Sequence, residues 1–216
     1  MKKFRNDLLY QIKQIVFGIQ DGLVTTIILT TTLAYVTDTK ILIISALTAG
    51  VGGAISMATG TYLGSKTQRD VLEVKAKDSE EKSDSLIKKE LQLEKLENDD
   101  IFAFLKIIQK YPAFESKLMS NLVLGFDKDK ISSPIIDATF MGISFLIGAI
   151  IPTLSYMFFV PHIAIIISVL LSALTLFIIG LVKTTEKGRS RLINGIEIMT
   201  IGMIAALLGY LIGRIV

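Results

Sequence analysis

The segment GIQDGLVTTIILTTT, residues 18–32, lies in the first long apolar run of the chain and carries one carboxylate, Asp21. No Lys or Arg follows it within that run to pair with the charge. An ionisable group is costly inside a membrane-spanning helix and usually marks a functional site there. Three later side chains share its helical face, at intervals of three or four residues: Thr25, Ile28 and Thr32. This face is predicted to handle a cation, unless the threonines only bond to carbonyl groups of their own helix and Asp21 to a neighbour.

The amino-acid composition is that of a membrane protein with one polar insert. Of the 216 residues, 51% are hydrophobic, and the mean hydropathy is +0.58. Five apolar segments approach or reach the roughly 20 residues that a helix needs to cross a bilayer. They cover about residues 15–36, 41–64, 134–159, 163–182 and 193–212. The predicted fold class is therefore all-α, an integral membrane protein with five transmembrane helices.

A charged stretch, residues 65–130, separates the second apolar segment from the third and holds 13 Lys/Arg and 14 Asp/Glu. Residues 67–98 contain neither Pro nor Gly and are rich in Lys, Glu and Leu, which favour helix. We predict that the second membrane helix runs directly into this insert, and that further helical pieces follow at 99–110 and 113–124. The predicted domains are residues 1–64, the insert 65–130, and residues 131–216.

Basic residues near the segment ends predict the orientation in the membrane. The N-terminus and the 183–191 loop carry four Lys/Arg each, whereas the connections 37–40 and 160–162 carry one and none. Because Lys and Arg accumulate on the cytoplasmic side, the N-terminus and the insert are predicted to be cytoplasmic and the C-terminus outside. The apolar run has no small-residue cleavage site, so the first helix is predicted to be retained. The lack of a targeting extension favours a prokaryotic plasma membrane.

Composition excludes several kinds of site. The chain has no Cys and a single histidine, His162, which excludes disulfides, thiolate metal sites and sites with two imidazoles from one chain. A metal site would have to use oxygen ligands and Met sulfur, which suits hard or borderline divalent cations. The net charge of +3 is small and spread over loops, so no nucleic-acid partner is expected. No nucleophile motif is present, so neither enzymatic activity nor a prosthetic group is predicted.

Single faces of other apolar segments also carry distinctive residues. In the second segment, a stripe of small residues predicts close helix approach, and its one large side chain, Met57, either fills a gap or binds metal. In the third segment, Asp137 is either an entrance charge or an anion at a helix N-terminus. In the fifth, Glu197 either carries protons or pairs with a basic residue. The small residues of the second segment are Gly50, Gly53, Ala54, Gly60, Thr61 and Gly64.

Several motifs, in this order, resemble the vacuolar iron transporter family. They are FGIQDGLVTT (17–26), AISMATGTYLGSKTQRD (54–70), a Glu-rich helical insert, AFESKLMSNLVLGFDKD (113–129) and RSRLINGIEIMTIG (189–202). The resemblance covers nearly the whole chain and implies five membrane helices with a cytoplasmic insert between the second and third. It also implies a homodimeric, proton-driven antiporter of Fe2+, and often of Mn2+, in which Asp21 and Met57 fall on the family's pathway aspartate and methionine.

The resemblance further implies that the insert binds metal through Glu and Met, but the chain departs from the family in places. Thr61 stands at a pathway glutamate of the second helix. In the third insert helix Met119 matches a ligand, whereas Ser120 and Val123 replace a second Met and a Glu. Two acidic clusters of the first insert helix either hold metal or form a solvated charged face. They are Glu90, Glu94 and Glu97, and Glu80, Glu81 and Asp84.

These observations predict a proton-coupled antiporter that exports Fe2+ or Mn2+ from the cytosol. Its partners would be the metal ion, protons, the lipid bilayer and a second copy, with two Asp21 carboxylates at the dimer axis and the Gly stripe of the second helix allowing close approach. The alternative is a non-transporting membrane protein whose charged insert recruits partners. The predicted pathway residues are Asp21, Met57, Thr25 and Glu197, and the predicted metal ligands are Asp21, Met57, Glu81, Glu90, Glu94, Glu97 and Met119.

Overall fold

The structure, a computed structural model, describes residues 2–80, 87–89, 91, 98–108, 110–111, 133–183 and 190–215. The regular elements in these ranges are helices, which confirms the all-α class, and no strand occurs in them. The long helices are α1 (Lys2–Leu33), α2 (Thr39–Glu80), α3 (Asn98–Ile108), α4 (Pro134–Phe158), α5 (Pro161–Lys183) and α6 (Arg191–Ile215).

Five of these helices are long and apolar enough to cross a bilayer, as predicted. The protein is therefore a multi-pass membrane protein. The first span begins at Gln11, a full turn before the predicted start, and α2 continues to Glu80 without a break, which confirms the predicted continuous helix. The spans are Gln11–Leu33, Thr39–Val74, Pro134–Phe158, Pro161–Val182 and Arg191–Ile215.

The helix starts follow from local sequence. Asp38 and Ser190 lie immediately before α2 and α6, and their carbonyl oxygens accept bonds from Leu42 and Asn194, as N-cap residues do. Proline is the first residue of both α4 and α5. Its fixed φ suits the first helical position, where the missing N–H would have no intrahelical partner.

The chain divides into two compact units. The membrane unit comprises Met1–Leu63 and Pro134–Val216, and the insert unit comprises Gly64–Ser133. In the insert unit, α3 is amphipathic: Ile101 and Ile108 are buried, whereas Phe102 and Ile107 are exposed. Helix α3 confirms the piece predicted at 99–110, and the piece predicted at 113–124 lies outside the described residues.

Helix α1 is the centre of the membrane unit and packs against α4, α5 and α6. Its span has the largest buried share, 44%, and the span of α2 has the smallest, 22%. Val16 and Leu23 of α1 are buried together with residues of α5 and α6, among them Leu176 and Ile198. Apolar side chains cover the outer surfaces of the bundle, as expected where helices face lipid.

Glycines set how closely α1 approaches its neighbours. A Cβ added at Gly22 would collide with the carbonyl oxygen of Phe145 on α4, and one at Gly148 with the carbonyl oxygen of Ile19 on α1. On the other side of α1, Gly209 of α6 lies against the Ile28 carbonyl oxygen, 2.6 Å from where its Cβ would be. Small residues are needed there because association inside a membrane depends on close packing of backbones.

Candidate functional site

Asp21 lies near the middle of the first span, in the part of α1 that presses most closely on α4. On either side of it, Gly18 and Gly22 face the α4 backbone at Met141 and Phe145. Asp21 itself is half-buried. Its carboxylate is therefore held at the edge of the α1–α4 contact, at a depth where no water is expected unless a pathway supplies it.

One face of α1 is left uncovered by the rest of the protomer, and Asp21 is on it. Phe17, one turn before it, is 52% exposed, and Thr25, one turn after it, is also exposed. These residues follow at four-residue intervals and so share one side of the helix. The uncovered face, Phe17–Asp21–Thr25, is thus a mixed apolar and polar surface inside a membrane span.

The ring of Phe145 connects this part of α1 with α2. Phe145 is 2% exposed; its backbone contacts Gly22, and its ring lies 2.5 Å from where a Cβ of Gly53 would be. Met57, one turn after Gly53, is partly buried against the same cluster of Phe145, Ala54 and Ala149. Asp21 and Met57 therefore lie at similar depth, on the two helices that Phe145 joins.

The threonines of the opening segment do not form one continuous polar stripe. Thr32 donates to the Ile28 carbonyl of its own helix at 2.8 Å and to the Gly209 carbonyl of α6 at 2.9 Å. Thr31 likewise donates to Ile27 at 2.6 Å. The alternative reading, bonding to helix carbonyls, thus applies to these threonines, while Thr25 stays on the uncovered face beside Asp21.

The remaining predicted pathway residues lie elsewhere. Glu197 is on the exposed side of α6, next to Ile198, which is buried against Val16 and Leu23. Thr61, which stands where a carboxylate was expected, is half-buried one turn beyond Met57. The predicted insert ligands lie outside the described residues, as do Glu80's side chain, Asp84, Ser120 and Val123: Glu81, Glu90, Glu94, Glu97 and Met119.

Asp137 is buried in the first turn of α4, 3% exposed, where the helix dipole favours an anion. Nε2 of Gln11 on α1 donates to its Oδ1 at 2.9 Å. Sequence reasoning identified the aspartate but missed its partner, because Gln11 precedes the apolar run as it reads in sequence. Phe145 was missed for another reason: an aromatic residue in an apolar segment gives no signal of its own.

Five membrane spans around a central helix that carries a carboxylate define the class of this protein: a polytopic helical membrane protein with a polar site inside the bilayer. The model of the VIT family matches residues 12–214, nearly the whole chain. The chain belongs to the VIT family.

Curated relatives agree with this assignment. The chain is 28% identical over 212 residues to Protein CCC1 of Saccharomyces cerevisiae, covering 90% of this chain and 66% of that protein. It is 27% identical over 215 residues to Vacuolar iron transporter 1 of Arabidopsis thaliana, covering 95% and 86%. It is 24% identical over 208 residues to Vacuolar iron transporter 1 of Oryza sativa subsp. japonica, covering 92% and 82%. By name, relatives such as these are transporters and not enzymes.

Proposed function

We propose that this protein carries Fe2+ across a membrane in exchange for protons, with Asp21 and Met57 as ion-binding residues. The observation that carries the proposal is the carboxylate on the uncovered face of the central helix, at the depth of Met57. The names of the plant relatives, vacuolar iron transporters, support iron as the ion. Mn2+ is a second substrate of the proposal, because carboxylate oxygen suits it as well.

The two side chains supply different ligand atoms. Asp21 offers oxygen and negative charge, and Met57 offers a thioether sulfur. Ca2+ and Mg2+ prefer shells made only of oxygen, whereas Fe2+ is softer and accepts nitrogen or sulfur. A mixed site therefore selects a transition metal from a cytosol rich in Mg2+. The exposed hydroxyl of Thr25 is the nearest further oxygen along the same face of α1.

A second copy of the chain would complete the site. A carboxylate on a surface that faces lipid is disfavoured, so the uncovered face Phe17–Asp21–Thr25 needs a protein or water-filled environment. Among the described residues, no three Asp, Glu or His side chains come together to hold a metal. Two copies related by an axis beside α1 would bring two Asp21 carboxylates to one divalent ion and balance its charge.

The small-residue stripe of α2 has a different role from the one predicted. Gly50 and Gly53 pack against Ala149 and Phe145 of the same chain, so they cannot form the contact with a second copy. Gly52 and Gly60 instead have open space where a Cβ would be. In this proposal, the second copy therefore meets α1 and the outer side of α2.

Proton exchange follows from the chemistry of a carboxylate. When the ion leaves, Asp21 can take a proton, and the neutral side chain costs less inside the membrane than the charged one. The carrier then returns without an ion. Glu197, on α6, is a second carboxylate through which protons could pass in this proposal.

Export from the cytosol is the proposed direction. The basic residues at the N-terminus and in the 183–191 loop favour a cytoplasmic N-terminus, and five spans then place the C-terminus outside. We place the protein in a prokaryotic plasma membrane, whereas its plant relatives are named as vacuolar. Both membranes border the cytosol, so removal of metal from the cytosol is the same direction in each.

Transport by the purified full-length chain in liposomes tests this proposal. The vesicle interior is made acidic, and Fe2+ entry is followed with a trapped dye that the metal quenches. We expect the gradient to accelerate entry and a protonophore to slow it. Asp21→Asn should abolish transport, and Met57→Leu, which keeps the volume, should slow it. Asp38→Asn and Met157→Leu, at exposed positions, are the matched controls.

Two results would contradict the proposal. Wild-type rates from Asp21→Asn would remove the carboxylate from the pathway. Absence of gradient-driven entry in the wild type, together with no metal binding by the full-length chain, would instead favour a non-transporting protein whose insert recruits partners.

A further inference from the structure

A second group of buried polar atoms lies between α1 and α4, apart from Asp21. Gln11 and Asp137, each 3% exposed, form its core through their bond of 2.9 Å. Gln11 lies ten residues before Asp21, which corresponds to about 15 Å along a helix. The group therefore belongs to the end of the membrane span and not to the proposed transport site.

Two oxygen atoms of this group have no donor in the part of the chain that the structure describes. They are Oε1 of Gln11 and Oε1 of Gln14, both buried. Because Oε1 and Nε2 of Gln11 share one carbon atom, the unpartnered oxygen lies within one amide group of the Asp137 carboxylate. A buried acceptor without a partner costs about 1–3 kcal/mol, so an occupant that supplies positive charge would relieve a real penalty.

The available atoms define the chemistry of that occupant. A carboxylate has about four acceptor positions, so Asp137 can bind an additional ligand while it accepts from Gln11. The amide and carboxylate oxygens are all hard ligands, of the kind that Mg2+, Ca2+ and Mn2+ prefer. The N-terminus of α4 contributes about half a positive charge, which is less than the full negative charge of the carboxylate.

We propose that Gln11, Gln14 and Asp137 form a second cation site, made only of oxygen ligands, for a hard divalent ion such as Mn2+. The site lies where the first span begins and α4 starts, so an ion can reach it from the water at that side of the membrane. It goes beyond the proposed transport activity, because it lacks sulfur, uses other residues and is tested by binding alone.

Mn2+ titration of the detergent-solubilised full-length chain, followed by calorimetry and by the EPR signal of free Mn2+, tests the site. Asp137→Asn keeps the acceptor for Gln11 but removes the charge. It should raise the Kd of one class of Mn2+ site at least tenfold. Asp38→Asn, the same change at an exposed position, should alter nothing.

Gln11→Glu provides an independent test that does not depend on the folding of Asp137→Asn. This change places a second carboxylate beside Asp137, and without metal the two like charges should lower the melting temperature. Added Mn2+ should restore it and bind at least tenfold more tightly than in the wild type. An amide oxygen that serves only a buried water predicts no such rescue.

The possible results separate this site from the transport site. Asp21→Asn should leave this class of Mn2+ binding intact. Unchanged isotherms in Asp137→Asn, or no Mn2+ rescue of Gln11→Glu, would overturn the second site while leaving the transport proposal untouched. Loss of the same class of binding in both Asp21→Asn and Asp137→Asn would also overturn it, since a single site would then explain the data.

Discussion

Substitution of Gly53 by alanine tests whether the contact between α2 and Phe145 holds the candidate site together. The added methyl group would lie 2.5 Å from Cε1 and Cζ of the ring, whereas carbon atoms pack at about 3.5–4.0 Å. The ring would therefore have to move by about 1 Å. It has little freedom to do so, because Phe145 is 2% exposed and its backbone is pressed against Gly22 of α1.

The neighbouring residue provides a matched control. A Cβ at Gly52 meets nothing within 4 Å, so Gly52→Ala gains only the helix propensity of alanine, about 1 kcal/mol. Gly53→Ala gains the same propensity but also suffers overpacking, which costs about 1–3 kcal/mol. The two variants should therefore differ by about 1–3 kcal/mol in the free energy of unfolding, independently of propensity. This corresponds to about 2–12 °C in melting temperature for a chain of this size.

Thermal unfolding of the purified variants in the same detergent, at the same oligomeric state, measures this difference. Gly60→Ala, also in open space, is a second control. Transport should follow stability: Gly53→Ala moves Met57 relative to Asp21 and should slow Fe2+ entry, whereas Gly52→Ala should not. Equal melting temperatures for Gly52→Ala and Gly53→Ala would refute the tight contact, and with it the inference that Phe145 sets the relative depth of Asp21 and Met57.

Two further predictions concern the ends of α1. Thr32→Val removes the bond to the Gly209 carbonyl of α6 and should lower the free energy of unfolding by about 0.5–1.5 kcal/mol. Thr59→Val, whose hydroxyl bonds only within its own helix, should change stability less when both are melted side by side. Gln11→Leu leaves the buried Asp137 carboxylate without its amide donor and should cost about 1–3 kcal/mol at neutral pH, and an unchanged melting temperature would show that the bond contributes nothing.

The opening segment illustrates how far sequence reasoning reaches. Charge cost alone identified Asp21, because a carboxylate in an apolar run is rare whatever surrounds it. The threonines around it could not be ranked in the same way. A hydroxyl can bond to its own helix or to a neighbour, and only the position of α6 decides that Thr32 reaches Gly209.

The second apolar segment shows the opposite limit. Its small residues correctly indicated close helix approach, but the helical stripe does not say which helix comes close. The structure brings α4 of the same chain against Gly50 and Gly53, so the idea that this stripe meets a second copy is wrong. The reason is physical: small residues permit contact with any backbone of suitable shape, and the partner is chosen by the whole packing arrangement.

By itself, the sequence determined the class of the fold, the number of spans, the continuity of α2 into the insert and the central carboxylate. These properties depend on local terms, namely the length of apolar runs, helix propensity and the cost of burying a charge. The tertiary structure alone decided that Phe145 brings α1 and α2 to a common depth, that Gln11 pairs with Asp137, and that one face of α1 stays uncovered. These depend on contacts between residues far apart in the chain, whose geometry is fixed only when the helices pack.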